Sequence, residues 1–176
     1  MTAISTGRDM EIALTQELVA IVDAQDFDLV QRHKWCADKR GNTYYAVTNV
    51  PHPNRKGYTK LRMHRLILGL DRDDPRMGDH RDGNGLNNRR SNLRIASASQ
   101  NAMNRRSRKG SSSQFVGVAW NKHHGVWEAN IQREGKPMWL GRFDLESDAA
   151  HAYDVAALEI HGEFARTNFS LQEMEI

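Results

Sequence analysis

The residues best suited to chemistry lie in one polar segment in the middle of the chain. Asp79 and His80 are adjacent there, and Asn92 and Asn101 follow at short intervals. Histidine is the side chain whose ordinary pKa suits proton abstraction near neutral pH. Carboxylate and amide oxygens suit hard divalent cations, which can bind both a phosphate oxygen and a leaving oxygen. The set therefore fits phosphodiester hydrolysis, although an isolated Asp-His pair in an Asn-rich segment is also common in turns.

Positive charge is concentrated in the same region. The 176 residues carry a net charge of +3. This divides into −2 over residues 1–50 (5 Lys/Arg, 7 Asp/Glu), +10 over 51–110 (15 and 5) and −5 over 111–176 (5 and 10). Most cations of the middle segment are arginines, which suit bidentate phosphate contact. We expect this segment to bind a polyanion, in preference to being only a solvated charged surface.

The composition excludes several other classes of protein. Hydrophobic residues make up 39% of the chain, enough for a core, yet no stretch approaches the roughly 20 apolar residues of a membrane span. The single cysteine, Cys36, excludes an intramolecular disulfide framework and a Cys-rich zinc site. The first ten residues contain no apolar signal segment. We therefore expect a cytoplasmic protein with no membrane partner and no structural zinc.

Short elements must position the polar residues. The pattern predicts one or two strands over residues 11–22, a helix over 24–32 with Asp23 as its N-cap, and a hairpin over 35–50. A strand end followed by a short helix is predicted over 60–70. Residues 71–92 have the composition of a loop, and this unusual length favours a functional segment.

A second domain follows a basic, Ser/Gly-rich linker at residues 107–113. Strand-like runs at 115–120, 126–133 and 137–143 precede a helix that Ser147 is expected to cap. The apolar residues of this helix fall on one face: Ala149, Ala150, Tyr153, Ala156, Ala157 and Ile160. The pattern predicts three antiparallel strands packed on one helix.

In order and spacing, the motifs of residues 60–105 resemble those of HNH nucleases, in the branch typical of phage homing endonucleases. The resemblance is carried by Met63-His64-Arg65, Asp79-His80, Asn87-Asn88, Asn92-Leu93-Arg94 and Gln100-Asn101. It implies a ββα-metal module, in which two strands and a helix hold one metal ion. The expected fold class is α+β, with a strand-rich N-terminal extension (1–60), the nuclease module (61–106), the linker (107–113) and the second domain (114–170).

The resemblance also implies roles for individual residues. His80 is the general base, Asp79 and Asn101 hold the metal, and Asn92 braces the loop that positions His80. Asn88 and His64 are supporting candidates, although packing explains His64 equally well. Asparagine at position 101, where many HNH enzymes have histidine, favours Mg²⁺ or Mn²⁺. DNA phosphate contacts are expected from the arginines near the motif: Arg62, Arg65, Arg89, Arg90, Arg94, Arg105 and Arg106.

Residues 112–169 resemble the Apetala-two/ethylene-response-factor DNA-binding domain of plants. The resemblance rests on Phe115-Val116-Gly117-Val118, Trp127-Glu128-Ala129-Asn130-Ile131, Trp139-Leu140-Gly141-Arg142-Phe143 and Thr167-Asn168-Phe169. It implies that the sheet enters the DNA major groove with the helix behind it. The candidate contacts are Trp120, Lys122, Asn130, Gln132 and Trp139, with Arg133, Lys136 and Arg142 nearby. Asparagine or glutamine could pair with adenine there.

This second domain departs from the plant pattern. Val116, Ala119, Asn121 and Pro137 stand where arginine is common, so the plant target sequence does not transfer. Core packing is the favoured explanation for Trp127. The net charge of −5 over residues 111–176 also leaves open a domain that contacts protein instead of DNA.

Together these features predict a two-module, metal-dependent DNA endonuclease of the homing type, encoded by a phage and active in the bacterial host cytoplasm. The partner is double-stranded DNA, and the chain acts as a monomer or weak dimer. One active site per chain predicts nicking before linearisation. Two alternatives remain: a non-cleaving DNA-binding regulator that keeps the HNH fold, and a nuclease for RNA or branched DNA with the same centre.

Overall fold

The computed structural model describes residues 9–104, 110–170 and 173. The chain forms two compact units, residues 1–99 and 100–176. The architecture is α+β, as predicted. The first unit contains β1 (Asp9–Ala13), β2 (Val19–Asp23), α1 (Ala24–Val30), β3 (Cys36–Arg40), β4 (Thr43–Pro51), β5 (Tyr58–Arg62), α2 (Met63–Ile67), β6 (Met77–His80) and β7 (Leu93–Ala96). The boundary between the units falls within α3 (Ala98–Met103).

Three small antiparallel sheets build the first unit. β1 pairs with β2, the strands β3, β4 and β5 follow one another in a meander, and β6 pairs with β7. Residues 35–50 form a hairpin as predicted, and the strands predicted over 11–22 are β1 and β2, which pair with each other. A parallel bridge joins Ile21 of β2 to Asn87, in the loop between β6 and β7.

One core holds these sheets together. The alternate residues Ala20 and Val22 of β2 are fully buried, and α1 contributes Val30. Trp35 packs in the same core and donates its Nε1–H to the carbonyl of Val30 at 2.8 Å. Leu93 of β7 packs there as well. The N-terminal hairpin (β1 and β2) therefore shares its core with β7, the strand that follows the polar loop between β6 and β7.

Three local expectations were wrong. Residues 77–80 form strand β6 where a loop was expected, because their pairing with β7 replaces the missing apolar pattern. Asp23 precedes α1 but makes no side-chain cap bond; its carboxylate accepts the backbone N–H of Arg90 at 2.7 Å. Ser147 does not cap its helix, which already begins at Glu146, and its hydroxyl donates to Asp148 at 3.4 Å.

The second unit is a three-stranded antiparallel sheet packed on one helix, as predicted. Its elements are β8 (Val118–Asn121), β9 (Val126–Arg133), β10 (Lys136–Phe143) and α4 (Glu146–His161), with β9 in the centre of the sheet. Ala129 and Ile131 of β9 pack towards α4, where Ala149, Ala150 and Ala157 are fully buried. These small side chains let the helix approach the sheet closely.

The helices of the described residues are all too short or too polar to cross a membrane.

Candidate active site and candidate nucleic-acid interface

The hairpin of β6 and β7 positions Asp79 and His80. Asp79 lies opposite Arg94 and His80 lies opposite Leu93 in the register of the two strands. Both Asp79 and His80 are buried. Arg94 donates its Nε–H to the Asp79 carboxylate at 2.8 Å, and its Nη2 lies 2.7 Å from the same oxygen. This buried ion pair fixes the orientation of the carboxylate.

The loop between β6 and β7 is closed by hydrogen bonds to Asn92. The Asn92 side chain accepts the backbone N–H of Asp82 at 3.0 Å and donates to the Asp82 carboxylate at 2.9 Å and to the Asn87 carbonyl at 2.8 Å. The Asn92 carbonyl accepts the N–H of Arg81 at 2.9 Å. One asparagine therefore ties together both ends of the loop that starts at His80.

Asp82 is the acceptor at the centre of this loop. Partial burial pushes the pKa of its carboxyl upwards, but hydrogen bonds from the Asn84 backbone and from the Asn87 and Asn92 side chains bring that pKa below its ordinary value. The carboxylate therefore stays ionised at neutral pH. It lies close enough to His80 to raise the pKa of that imidazole.

His80 is held as a neutral imidazole. Its side chain lies in the interior, with the residue 3% exposed, and its Nε2 lies 3.3 Å from Oδ1 of Asn88. Burial lowers the pKa of His80 below its ordinary value of 6.5, even though the contact with Asn88 and the charges of Asp82 and Asp79 act in the opposite direction. A neutral imidazole at pH 7 is the form that can accept a proton.

Two further rings pack around His80. The His64 ring lies edge-on to it, with ring centroids 4.9 Å apart, and the Tyr45 ring lies 5.7 Å away. Burial, the proximity of His80 and the charges of Arg62 and Arg65 hold the pKa of His64 well below 6.5. The structure thus brings His64 into contact with His80.

Gly78 allows the close approach of His64 to the hairpin. A Cβ atom at position 78 would lie 2.5 Å from Cδ2 of His64. Neither Gly78 nor Tyr45 was among the residues selected from the sequence. Tyr45 gives no local signal because it belongs to a different hairpin, whereas a glycine directly before the Asp-His pair was a signal that could have been used.

Most arginines near the motif are engaged within the fold. Arg94 is buried against Asp79. The Nη2 of Arg89 lies 2.6 Å from Asp9, and Nη2 of Arg90 lies 2.7 Å from Asp26. Arg89 and Arg90 were expected to contact phosphates, but in this structure they hold the loop between β6 and β7 to the N-terminal elements. A DNA phosphate would have to compete with their carboxylate partners.

Arg62 and Arg65 differ in how far their guanidinium groups are already engaged in contacts within the fold. Arg65 donates to the backbone carbonyls of Arg76 at 2.9 Å and Asp74 at 3.2 Å, and also to that of Asp71. Arg62 is exposed at the end of β5 and makes no ion pair with any described residue. Among the described arginines selected from the sequence, Arg62 is the one best placed for a phosphate. Arg105 and Arg106 lie outside the described residues.

The proposed metal ligands, Asp79 and Asn101, offer oxygen donors. No cluster of three His, Cys, Asp or Glu side chains suited to a metal occurs among residues 9–104, 110–170 and 173. One carboxylate and one amide oxygen fit a hard cation that keeps water and phosphate as its other ligands. Asp79 belongs to the first unit and Asn101, on α3, to the second, so their pairing rests on the sequence pattern.

The sheet of the second unit has one face turned away from α4. Asn130 and Gln132 of β9 point there, because they alternate with the buried Ala129 and Ile131. Trp139 of β10 lies opposite Asn130 and is 61% exposed. Lys122 is exposed in the turn between β8 and β9. These four candidate contacts are therefore all accessible.

Trp120 does not share that face. It lies opposite Trp127 in the register of β8 and β9, on the side of the sheet that packs on α4. The two indole rings form an edge contact with centroids 5.0 Å apart. Its position at the border of the core does not match that expected for a groove contact. Trp127 packs against the core, as the sequence favoured.

Glu128 is a residue of the exposed face that sequence reasoning missed. Asn121 donates to its carboxylate at 2.9 Å and Arg142 donates at 3.0 Å. The hydrogen bond from Arg142 is the main cause that lowers the pKa of Glu128. Strict alternation with Asn130 and Gln132 was the signal that places Glu128 on this face.

Comparison with known proteins gives similarities over both units. An AP2 domain matches residues 113–163. The chain is 30% identical over 153 residues to an uncharacterized HNH endonuclease of Acanthamoeba polyphaga mimivirus, covering 85% of this chain and 74% of the viral protein. It is 36% identical over 88 residues to Protein 3.8 of Escherichia phage T7, covering 50% of this chain and 72% of the phage protein.

A plant protein matches the second unit. APETALA2-like protein 2 of Oryza sativa subsp. indica is 42% identical over 71 residues, or 40% of this chain, and the match spans 16% of the rice protein. The viral similarity, in contrast, extends over most of both chains. A polar loop anchored on a strand hairpin, followed by an AP2-type sheet and helix, defines the class. The chain belongs to the HNH endonuclease family and carries a C-terminal AP2 domain.

Proposed function

We propose that the chain is a metal-dependent DNA endonuclease of the homing type, in which His80 is the general base. The observation that carries the proposal is the state of His80: a buried imidazole with a lowered pKa, in contact with Asn88 and next to an oriented carboxylate. A neutral imidazole can take the proton of an attacking water at neutral pH. The similarity to the mimiviral HNH endonuclease supports the same reaction class.

Asp79 and Asn101 would hold the metal through oxygen donors. When bound, Mg²⁺ or Mn²⁺ would neutralise charge on the phosphate and on the leaving oxygen. The residues of the chain do the rest: His80 accepts the proton, Asn92 keeps the loop closed, and Arg62 is available to a neighbouring phosphate. Those residues and the cation together provide the base and the charge stabilisation that phosphodiester hydrolysis requires.

The AP2 domain supports double-stranded DNA as the substrate. Its exposed sheet face presents Asn130 and Gln132, whose amides match the donor and acceptor pattern of adenine in the major groove. Because the proposal places one active site on each chain, we expect a monomer to nick one strand.

The test is cleavage of supercoiled plasmid with Mg²⁺ or with EDTA. Wild type with Mg²⁺ should convert supercoiled DNA first to open circles, and EDTA should abolish this. His80→Ala should lower the rate at least 100-fold, the scale of a lost general base. His123→Ala is the matched control, since that exposed histidine lies in the turn between β8 and β9. Equal cutting by His80→Ala would refute the assignment of the base.

One observation favours a second function, that of a DNA-binding regulator that does not cleave. His80 is 3% exposed and Asp79 is ion-paired with Arg94, so the catalytic groups are covered in this structure. A regulator should bind DNA equally well in Mg²⁺ and EDTA and should leave every plasmid intact. Metal-dependent nicking that is lost in His80→Ala would exclude it.

A further inference from the structure

Asn88 is the most fully buried polar residue near His80. Its relative exposure is 0%, and its Nδ2 finds no hydrogen-bond partner among residues 9–104, 110–170 and 173. A buried amide group without a partner costs stability, because it has lost its hydration without compensation. Such a group calls for an explanation.

The Oδ1 of Asn88 lies 3.3 Å from Nε2 of His80. An amide oxygen only accepts hydrogen bonds, so this contact favours the His80 tautomer whose proton is on Nε2. In a neutral imidazole, Nδ1 then carries the lone pair. The acceptor at position 88 therefore favours Nδ1 as the basic ring nitrogen.

The backbone of Asn88 is anchored to β2. Its N–H donates to the carbonyl of Ile21 at 2.7 Å, and the Ile21 N–H donates to the carbonyl of Leu86 at 2.9 Å. Ile21 lies between Ala20 and Val22, both fully buried in the core. The backbone at position 88 is thus held by a strand of the core, although residue 88 itself lies in a loop.

We propose that Asn88 is a positioning residue that fixes His80 in the Nε2–H tautomer and thereby makes Nδ1 the base. This rests on the proposed function of His80. The N-terminal strand β2 has a part in the same task, because it holds Asn88 at hydrogen-bond distance from the ring.

Nuclear magnetic resonance of full-length protein labelled with ¹⁵N-histidine tests the tautomer directly, without DNA or metal. Long-range ¹⁵N–¹H correlations show which ring nitrogen carries the proton, and His80→Ala identifies the His80 signals. Asn88→Leu removes the acceptor and keeps the branching of the side chain, whereas Asn88→Asp keeps an acceptor and exchanges the unpartnered amide group for a second carboxyl oxygen, whose negative charge also favours protonation of His80. Asn54→Leu, in an exposed loop, is the control.

Wild type and Asn88→Asp should show the proton on Nε2 at pH 7.5, and Asn88→Leu should show a mixture of both tautomers. In plasmid nicking, Asn88→Leu should lower kcat at least tenfold with KM for DNA unchanged. A proton on Nδ1 in wild type would overturn the proposal, as would a folded Asn88→Leu with the wild-type tautomer and kcat. If Asn88→Leu fails to fold, a folded Asn88→Asp whose His80 carries no proton on Nε2 would overturn it.

Failure of the proposed function gives a different result. A wild-type protein with the Nε2–H tautomer that never cleaves DNA would refute the nuclease and leave the role of Asn88 intact. A protein that nicks DNA through His80 but carries the proton on Nδ1 would refute the role of Asn88 and leave the nuclease intact.

Discussion

Within the part of the chain that the structure describes, four separate segments of the first unit contribute to the environment of His80. Tyr45 comes from β4, His64 from α2, Asn88 from the loop and Leu93 from β7. Two of these neighbours are rings packed edge-on, and one is an amide. The imidazole therefore owes its lowered pKa to burial among these neighbours, and it owes its orientation to contacts that exist only in the folded unit.

The stability of the protein should fall in mild acid because of His64. The folded state opposes protonation of His64, whose pKa is lowered mainly by burial, whereas the unfolded chain takes up a proton below about pH 6.5. The unfolded state then binds more protons, so the free energy of unfolding falls as the pH drops below 6.5, by at most about 1.4 kcal/mol per pH unit. Above that pH the contribution is fully present.

Urea unfolding at pH 7.5 and pH 5.5 measures this effect. His64→Gln should show a smaller difference between the two pH values than wild type. His123→Gln controls for the loss of a histidine as such. An identical pH dependence in wild type and His64→Gln would contradict the assignment.

Strand β9 combines two functions on its two faces. One face supplies Ala129 and Ile131 to the core, and the other exposes Glu128, Asn130 and Gln132. A carboxylate on the face proposed to meet DNA repels phosphate and occupies Arg142. Glu128 is therefore expected to weaken non-specific binding.

Glu128→Gln should bind DNA more tightly, since it removes a negative charge and releases Arg142. If Arg142 then contacts a phosphate, the slope of log affinity against log salt steepens by about one. Fluorescence anisotropy at several salt concentrations measures both quantities. Glu159→Gln, which changes the same charge on exposed α4, should leave the slope as in wild type. If Glu128→Gln and Glu159→Gln had the same slope of log affinity against log salt, the DNA would not contact this face of the sheet.

Elements β2 and α1 brace the polar loop through ionic contacts. Asp26 of α1, whose side chain is 3% exposed, receives two hydrogen bonds from Arg90 at 2.8 Å and 2.7 Å. Loss of Arg90 would leave this carboxylate buried without its guanidinium. Helix α1 thus acts on the site through the loop between β6 and β7 as well as through the core, where it contributes Val30.

Arg90→Ala should destabilise the protein by about 1–3 kcal/mol, less than for a fully buried pair because Arg90 is half-exposed. Arg62→Ala should change stability by less than about 0.5 kcal/mol, as is usual for an exposed side chain, and should instead weaken DNA binding. Urea unfolding and binding assays on both variants distinguish a brace from a ligand contact. A stable Arg90→Ala would show that Asp26 does not need its partner.

The sequence predicted the second unit better than the first. Alternation along β9 and the 3.6-residue spacing along α4 are local signals, and both elements formed as expected. Strand β6 was missed because Met77, Gly78, Asp79 and His80 have no apolar alternation; it exists through pairing with β7. The internal role of Arg90 was invisible for the same reason, since its partner Asp26 is distant in sequence.

At the scale of the whole molecule, the chain joins a basic half to an acidic one. Residues 51–110 carry +10 and residues 111–176 carry −5. Residues 107–109 of the proposed linker at 107–113 lie outside the described residues. When two DNA-binding units are joined in one chain, binding of one unit raises the effective concentration of the other at the DNA. The resulting increase in affinity depends on the length of the chain between the units.

Ten Gly/Ser residues inserted at position 109 should weaken binding to a DNA selected by the full chain from a random pool. The effective concentration falls roughly as the −3/2 power of linker length once the linker exceeds the span between the two sites. His80-dependent nicking of unselected plasmid, which needs no second reader, should keep its rate. Unchanged affinity for the selected DNA would mean that a single unit does the reading.

The hydrogen bond from the Asn88 amide to the Ile21 carbonyl has a consequence for hydrogen exchange. Loop amides usually exchange with solvent through small local openings. The backbone amide of Asn88 is instead hydrogen-bonded to β2, a strand of the core, so its exchange requires β2 to separate from the loop. Its protection factor should then approach that of core amides such as Val22, and the rate at which deuterium reaches Asn88 would report cooperative opening of the unit.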